Sequence, residues 1–169
     1  FLYDILIKDG LSMAIMFFTN YTDYSLDAVR EMQMDSATVT GLSDAGAHVS
    51  LIFDAVNPIY QLTYWARDRS RGETIPLGQV IHRATCRNAR LFGFNDRGHI
   101  EVGKKADINV IDFERLAPGD LNIRQDLPAG GKRLMQDANG YVACLINGQV
   151  TRRHDKATGC YPGRLIRSE

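Results

Sequence analysis

The chain has 169 residues, 20 Lys+Arg balanced by 20 Asp+Glu, 44% hydrophobic residues, a pI near 7.1 and a mean hydropathy of −0.22. That length is ample for a buried core. Zero net charge removes the electrostatic footprint of a nucleic-acid binder, a polybasic membrane-surface protein or an acidic tail. The most apolar run, Ala14 to Phe18, is far too short to span a bilayer. Three cysteines (Cys86, Cys144, Cys160) form no close pair, and their odd number suits a reducing, cytoplasmic compartment.

The chain opens Phe1-Leu-Tyr-Asp-Ile-Leu-Ile7, with no initiator Met and no polar lead-in. Phe1, Leu2, Ile5 and Leu6 have the spacing of one helix face, as if a helix were entered partway along. Chain starts are usually polar and loosely held, so the expectation is either a trimmed chain or the tail of a larger protein. Gly10 breaks the pattern, and Ala14 to Phe18 reads as a doubly buried strand. Ser25 is placed to cap a helix through Met34, with Asp27 in its first turn and Leu26, Val29 and Met32 as the apolar stripe. Ala37 to Leu42 is the next predicted strand, leading into Ser43-Asp44-Ala45-Gly46-Ala47-His48. A helix is predicted over Pro58 to Arg67, followed by the polar loop Arg67 to Glu73. Thr74, Pro76 and the stripe Leu77, Val80, Ile81, Ala84, Leu91, Phe92 mark the clearest helix, closed by Gly93. Strands alternating with helices in this way imply parallel βα units.

From Asp96 the texture changes. Gly98 to Gly103 and Ala106 to Asp112 read as strands separated by a lysine-bearing turn, and a loop-rich stretch with Pro118, Pro128 and Gly130-Gly131 follows. Tyr141–Ile146 and Gln149–Arg153 flank Asn147-Gly148, the strongest short hairpin signal in the chain, with Asn139-Gly140 as a second turn. The helix ending at Gly93 thus divides a βα part from an all-β tail. No internal repeat or low-complexity run is present.

Gly98-x4-Gly103-Lys104 imitates a phosphate-binding loop, but Lys105 follows where Ser or Thr must ligate Mg²⁺, and strand-like runs flank it. It reads as a β-turn. His48, His82, His99 and His154 are scattered, and no His-x-His, HExxH or CxxC occurs, so no complete zinc set is visible. Cys86 reads as a packed thiol.

Asp44 stands apart. It follows a predicted strand and precedes Ala-Gly-Ala, small residues that allow close approach of backbone and ligand. In a parallel α/β protein this is the carboxyl end of a strand, where active sites collect. A turn or cap acceptor is the plainer alternative. Asn20, after the preceding predicted strand, has the same kind of position, with a turn Asn as its alternative. Arg67, Arg69 and Arg71 are candidates to meet a carboxylate, although a charged run is usually solvated surface.

Gly41-Leu-Ser-Asp-Ala-Gly-Ala-His48 followed by Ala89 to Asp112 resembles the C-terminal part of amidohydrolase-superfamily enzymes. Within these, Asp126-Leu-Pro-Ala-Gly-Gly-Lys-Arg133, the Val142–Val150 hairpin and Thr158-Gly-Cys-Tyr-Pro-Gly-Arg164 resemble the N-acyl-D-amino-acid deacylase branch. The resemblance covers essentially the whole chain. It implies an α/β fold: the C-terminal portion of a TIM-type (β/α)8 barrel in residues 1–93, incomplete, followed by strands of a small β-sandwich in 94–169. It further implies a zinc-dependent hydrolase acting on the amide of N-acyl-D-amino acids. Asp44 matches the aspartate that lies beside the zinc and acts on the attacking water. It is then the catalytic proton shuttle and this chain's one metal-ligand candidate, with Asn20, His48 and Arg67 as substrate-pocket candidates. The family's His-x-His pair and further Cys and His ligands have no counterpart here. One carboxylate cannot hold a catalytic zinc, so this chain alone is expected to bind no zinc and to be inactive. Two strands cannot close a barrel, so self-association or cover by a missing N-terminal part is expected. The alternative is a non-catalytic domain for oligomerisation or partner binding that keeps the fold remnant.

Overall fold

A computed structural model describes Asp4, residues 25–41 and residues 43–166. The predicted Phe1–Asp9 helix, the Ala14 to Phe18 strand, Asn20 and Leu42 lie outside the described residues, apart from Asp4.

Helices come first. α1 (Asp27–Met34) starts after Leu26, which takes a left-handed conformation (φ 59°), and Ser25 Oγ accepts the Asp27 amide at 3.2 Å. Ser25 therefore serves the helix start from one position further out than the sequence places it. α2 (Asn57–Tyr60) runs directly into a π-helical stretch, Gln61–Asp68, closed by an i→i+5 bond from Arg69 N to Tyr64 O at 3.0 Å. α3 (Leu77–His82) continues through the π-helical stretch Arg83–Arg87 into α4 (Asn88–Leu91). Bonds from Gly93 N to Arg90 O and from Phe94 N to Ala89 O close α4 as a Schellman motif.

A buried cluster of Trp65, Ile75 and Val80 organises these helices, with Leu26, Val29, Leu62, Tyr64 and Ala66 packed against it. Leu26 and Val29 reach the cluster, whereas Met32 stays 48% exposed because the core sits at the helix's N-terminal end. The stripe predicted for the α3–α4 region needs a larger correction. Val80 is buried, but Ile81, Leu91 and Phe92 are exposed, and the inward positions after Val80 are Arg83, Cys86 and Ala89. That face meets chain rather than bulky core: Arg83 donates to Asp35 O and the Thr38 hydroxyl, and a Cβ added to Gly98 would lie 2.7 Å from Ala89 Cβ and 3.0 Å from Cys86 Cα. Gly98 is thus needed for close contact with a helix, which agrees with reading its motif as a turn.

Arg69 is buried and builds the polar loop after the helix. It stacks over Trp65, donates to the carbonyls of Arg71 (2.7 Å), Glu73 (3.0 Å) and Ser25 (3.1 Å), and pairs with Asp27. Of the charged run expected to be solvated, Arg69 is therefore an internal brace.

No strand forms over residues 37–41, and Gly98 to Gly103 is a loop in which Ile100 and Val102 are exposed. An extended segment becomes a strand only when a neighbour completes its ladder, and neither segment has one among the described residues. The loop over 94–107 is instead closed on itself, by Lys105 N to Asp96 O (2.7 Å) and Lys104 Nζ to Asn95 O (2.6 Å).

Six strands follow: β1 (Ile108–Ile111), β2 (Ala117–Arg124), β3 (Arg133–Asn139), β4 (Tyr141–Ile146), β5 (Gln149–Arg153) and β6 (Lys156–Ala157). They form a four-stranded sheet in the order β1-β4-β5-β6 and a separate two-stranded ribbon, β2-β3. Every pairing among the described residues is antiparallel, so the parallel βα arrangement expected from the sequence is not seen there. The hairpin at Asn147-Gly148 has the predicted strand bounds, and Ile146 pairs with Gln149 across it. The stretch around Pro118 and Pro128, expected as loop, carries β2 and β3. Pro118 is tolerated where the register shifts, and Pro128–Gly130 forms the turn beyond the strand. Where the ribbon leaves and rejoins the sheet, Asp112 N donates to Gly140 O at 2.9 Å.

No described helix is long and apolar enough to cross a membrane.

Candidate functional site

The segment leading to Asp44 is held by side chains of α3–α4 and the π-helical stretch between them. Arg83, 7% exposed, donates from Nη2 to Thr38 Oγ1 at 3.0 Å and from Nη1 to Asp35 O at 3.5 Å. Arg87 donates to Ser36 O. Asn88 Nδ2 donates to both the carbonyl and the hydroxyl oxygen of Thr40 at 3.1 Å, and that hydroxyl donates to Arg83 O at 3.5 Å. Burial, with Arg87 alongside, pulls the Arg83 guanidinium below its ordinary pKa. Sequence reading missed this set. Its signal was present: Arg83, Arg87 and Asn88 fall on one helix face, and Ser36, Thr38 and Thr40 supply a run of acceptors.

Beyond Gly41 the chain turns. Asp44 is exposed in a left-handed conformation (φ 55°), and its carbonyl accepts the Ala47 amide at 3.0 Å. An aspartate tolerates this region better than most residues, and the following Ala45-Gly46-Ala47 leaves its carboxylate uncrowded. His48 is also exposed and left-handed (φ 44°), and its carbonyl accepts the amides of Leu51 (2.7 Å) and Ile52 (3.0 Å). The loop is then tied to the ribbon: Leu134 N donates to Val49 O at 2.9 Å. Between loop and ribbon lies a small recess of about 80 Å³, walled mainly by Ala45, Val49, Ile52, Phe53, Leu134 and Met135, with Arg133 at its border. The Arg133 guanidinium holds the Asp126 carboxyl below its usual range through two bonds of 2.7 Å.

Asp44 and His48 therefore share one exposed loop. Arg67 does not join them. Its donors go to Asp68 (2.6 and 2.9 Å) and to the carbonyls of Phe113, Glu114 (3.4 Å) and Leu116 (2.9 Å), and it lies over the Phe113 ring. That fork fastens the helix to the turn between β1 and β2. The same bond from Arg67 lowers the Asp68 pKa. Asn20 lies outside the described residues.

The amidohydrolase family model matches residues 5–152. The chain belongs to the amidohydrolase family. The match takes in the Asp44 loop, all the described helices and most of the strands, and it makes this a hydrolase-type chain. No curated protein and no solved structure matches it.

Amidohydrolases commonly bind metal. The described residues of this chain do not fit one by themselves: no group of three or more His, Cys, Asp and Glu side chains converges among them. A catalytic zinc takes about three protein ligands and keeps one position open. Asp44 and His48, on one exposed turn, fall short of that set.

Proposed function

We propose that this amidohydrolase chain is the C-terminal part of a zinc-dependent enzyme that hydrolyses the amide of N-acyl-D-amino acids. Residues 1–93 would contribute the last βα units of a TIM-type barrel, and 94–169 the strands of a small β-sandwich. Asp44 carries the reading: a carboxylate inside the family-matched stretch, exposed in a left-handed turn, followed by three small residues, two of which line the adjoining apolar recess.

The carboxylate supplies proton traffic. As water attacks the acyl carbon and the new C–O bond forms, Asp44 accepts a water proton. It then delivers that proton to the amide nitrogen as the C–N bond breaks, releasing a carboxylic acid and an amine, and the acid's proton passes on to the amine to leave carboxylate and ammonium. The described residues bring no zinc set together, and the sequence carries no His-x-His pair and no His or Cys before His48, so the isolated chain is expected to be inactive. The reading is tested in the protein encoded by the complete reading frame. Asp44→Asn should lower turnover by about 10²- to 10⁴-fold while metal content is unchanged. Zinc-dependent release of acyl groups by the isolated 169-residue chain, or full turnover by the Asn variant, would overturn it.

A second reading has its own support. Leu121 and Ile123 on β2 and Ile100 and Val102 in the preceding loop are exposed apolar side chains that need cover. A non-catalytic domain that oligomerises or binds a partner by covering such side chains accounts for them.

A further inference from the structure

We propose that Arg83, Arg87 and Asn88 are positioning residues for Asp44: they do by side chain what a neighbouring strand ordinarily does by backbone. The inference rests on the reading of Asp44 as the proton carrier. These residues stand at i, i+4 and i+5 on one helix face and donate to three carbonyls (Asp35, Ser36, Thr40) and two hydroxyls (Thr38, Thr40) of the segment that ends at the Asp44 loop. The other end of the loop is fixed independently, by Leu134 N on Val49 O. Asp44 therefore sits on a short span tethered at both ends, by a helix on one side and by the β2-β3 ribbon on the other.

Two features say that the grip is kept for more than stability. Arg83 is buried, yet the hydrogen-bond partners of its guanidinium among the described residues are neutral oxygens, with the Asp35 charge acting on it without a bond, and among those residues Arg83 Nε and Asn88 Oδ1 are buried with no partner. Burying a guanidinium without a carboxylate bond is costly, as is leaving buried polar atoms unmade, and an apolar helix face would avoid both. Such arrangements concentrate where geometry matters to function.

The test uses the protein of the complete reading frame, with hydrogen exchange read across residues 36–48 and kcat and KM measured together. Asn88→Leu and Arg83→Leu should each speed exchange in that window about tenfold and lower kcat about tenfold, leaving KM within about twofold. Arg83→Lys should recover part of both losses. Ile75→Val serves as control: it trims the Trp65–Val80 cluster without removing any of these bonds and should lower Tm with kcat unchanged. Unchanged exchange at 36–48, or faster exchange with wild-type kcat, overturns the proposal. Full turnover by Asp44→Asn instead overturns the reading beneath it, while the exchange experiment still shows whether the segment is held by this face.

Discussion

Gly72 shows how one residue's backbone carries an ion pair. At φ +84°, an added Cβ would lie 2.6 Å from Asp27 Oδ1 and 2.7 Å from Arg69 Nη2, so the Arg69–Asp27 contact occupies the space a side chain would need. Gly72→Ala should therefore cost about 1–3 kcal/mol, from left-handed strain together with displacement of the pair. A thermal melt checks it; an unchanged Tm means that the loop relaxes around the methyl. The importance of Gly72 was not legible in the sequence, where Arg67 to Glu73 looks like solvated loop. Charge runs are read as surface because burying a guanidinium is costly, and Arg69 escapes the rule through two local carbonyls, the Ser25 carbonyl, the Asp27 carboxylate and a tryptophan face. Asp44 could be singled out as a candidate because its signal is local: an acid followed by small residues. For Arg83 and Asn88 the sequence shows a shared helix face but not what that face grips, since their partners lie more than 40 residues away.

At the scale of elements, what was read well was also what depends on near neighbours. The β4-β5 hairpin is fixed by its own turn, and the α3–α4 helical run by Pro76 and Gly93, so both came out where the pattern put them. The strand predicted over 37–42 depends on a partner, and with none among the described residues, the 37–41 stretch leans on helix side chains. β2 and β3 were missed because Pro118 and Pro128 read as breakers, although an edge position and a turn accommodate them. Helical and strand-bearing parts are joined by the Arg67 fork, whose acceptors include the carbonyl of fully buried Leu116. Arg67→Ala should lower stability by about 2 kcal/mol, as charge-assisted bonds to backbone are lost. KM of the complete enzyme should stay within twofold. Denaturant unfolding and steady-state kinetics separate this fastening role from substrate binding, which predicts the reverse pattern.

For the whole molecule the decisive quantity is surface. Among the described residues, Ile100, Val102, Leu121 and Ile123 are large apolar side chains left exposed, and such side chains favour association. We expect the isolated chain to sediment above its 18.9 kDa mass, with a concentration dependence that disappears when a covering partner is supplied. A single 18.9 kDa species at every concentration, with no partner, contradicts this.

The bond from Asp112 N to Gly140 O brings together the two points where the β2-β3 ribbon departs from and returns to the sheet, beside the paired Ile111 and Tyr141. In modular terms the ribbon is a cassette: everything between those points could be replaced by a tight turn, leaving β1-β4-β5-β6 as a plain meander. The cassette also supplies one wall of the recess and the Leu134 tether of the Asp44 loop. A lineage that exchanged it would reshape the surroundings of its candidate carboxylate in one genetic event, without disturbing the strands that carry the insertion.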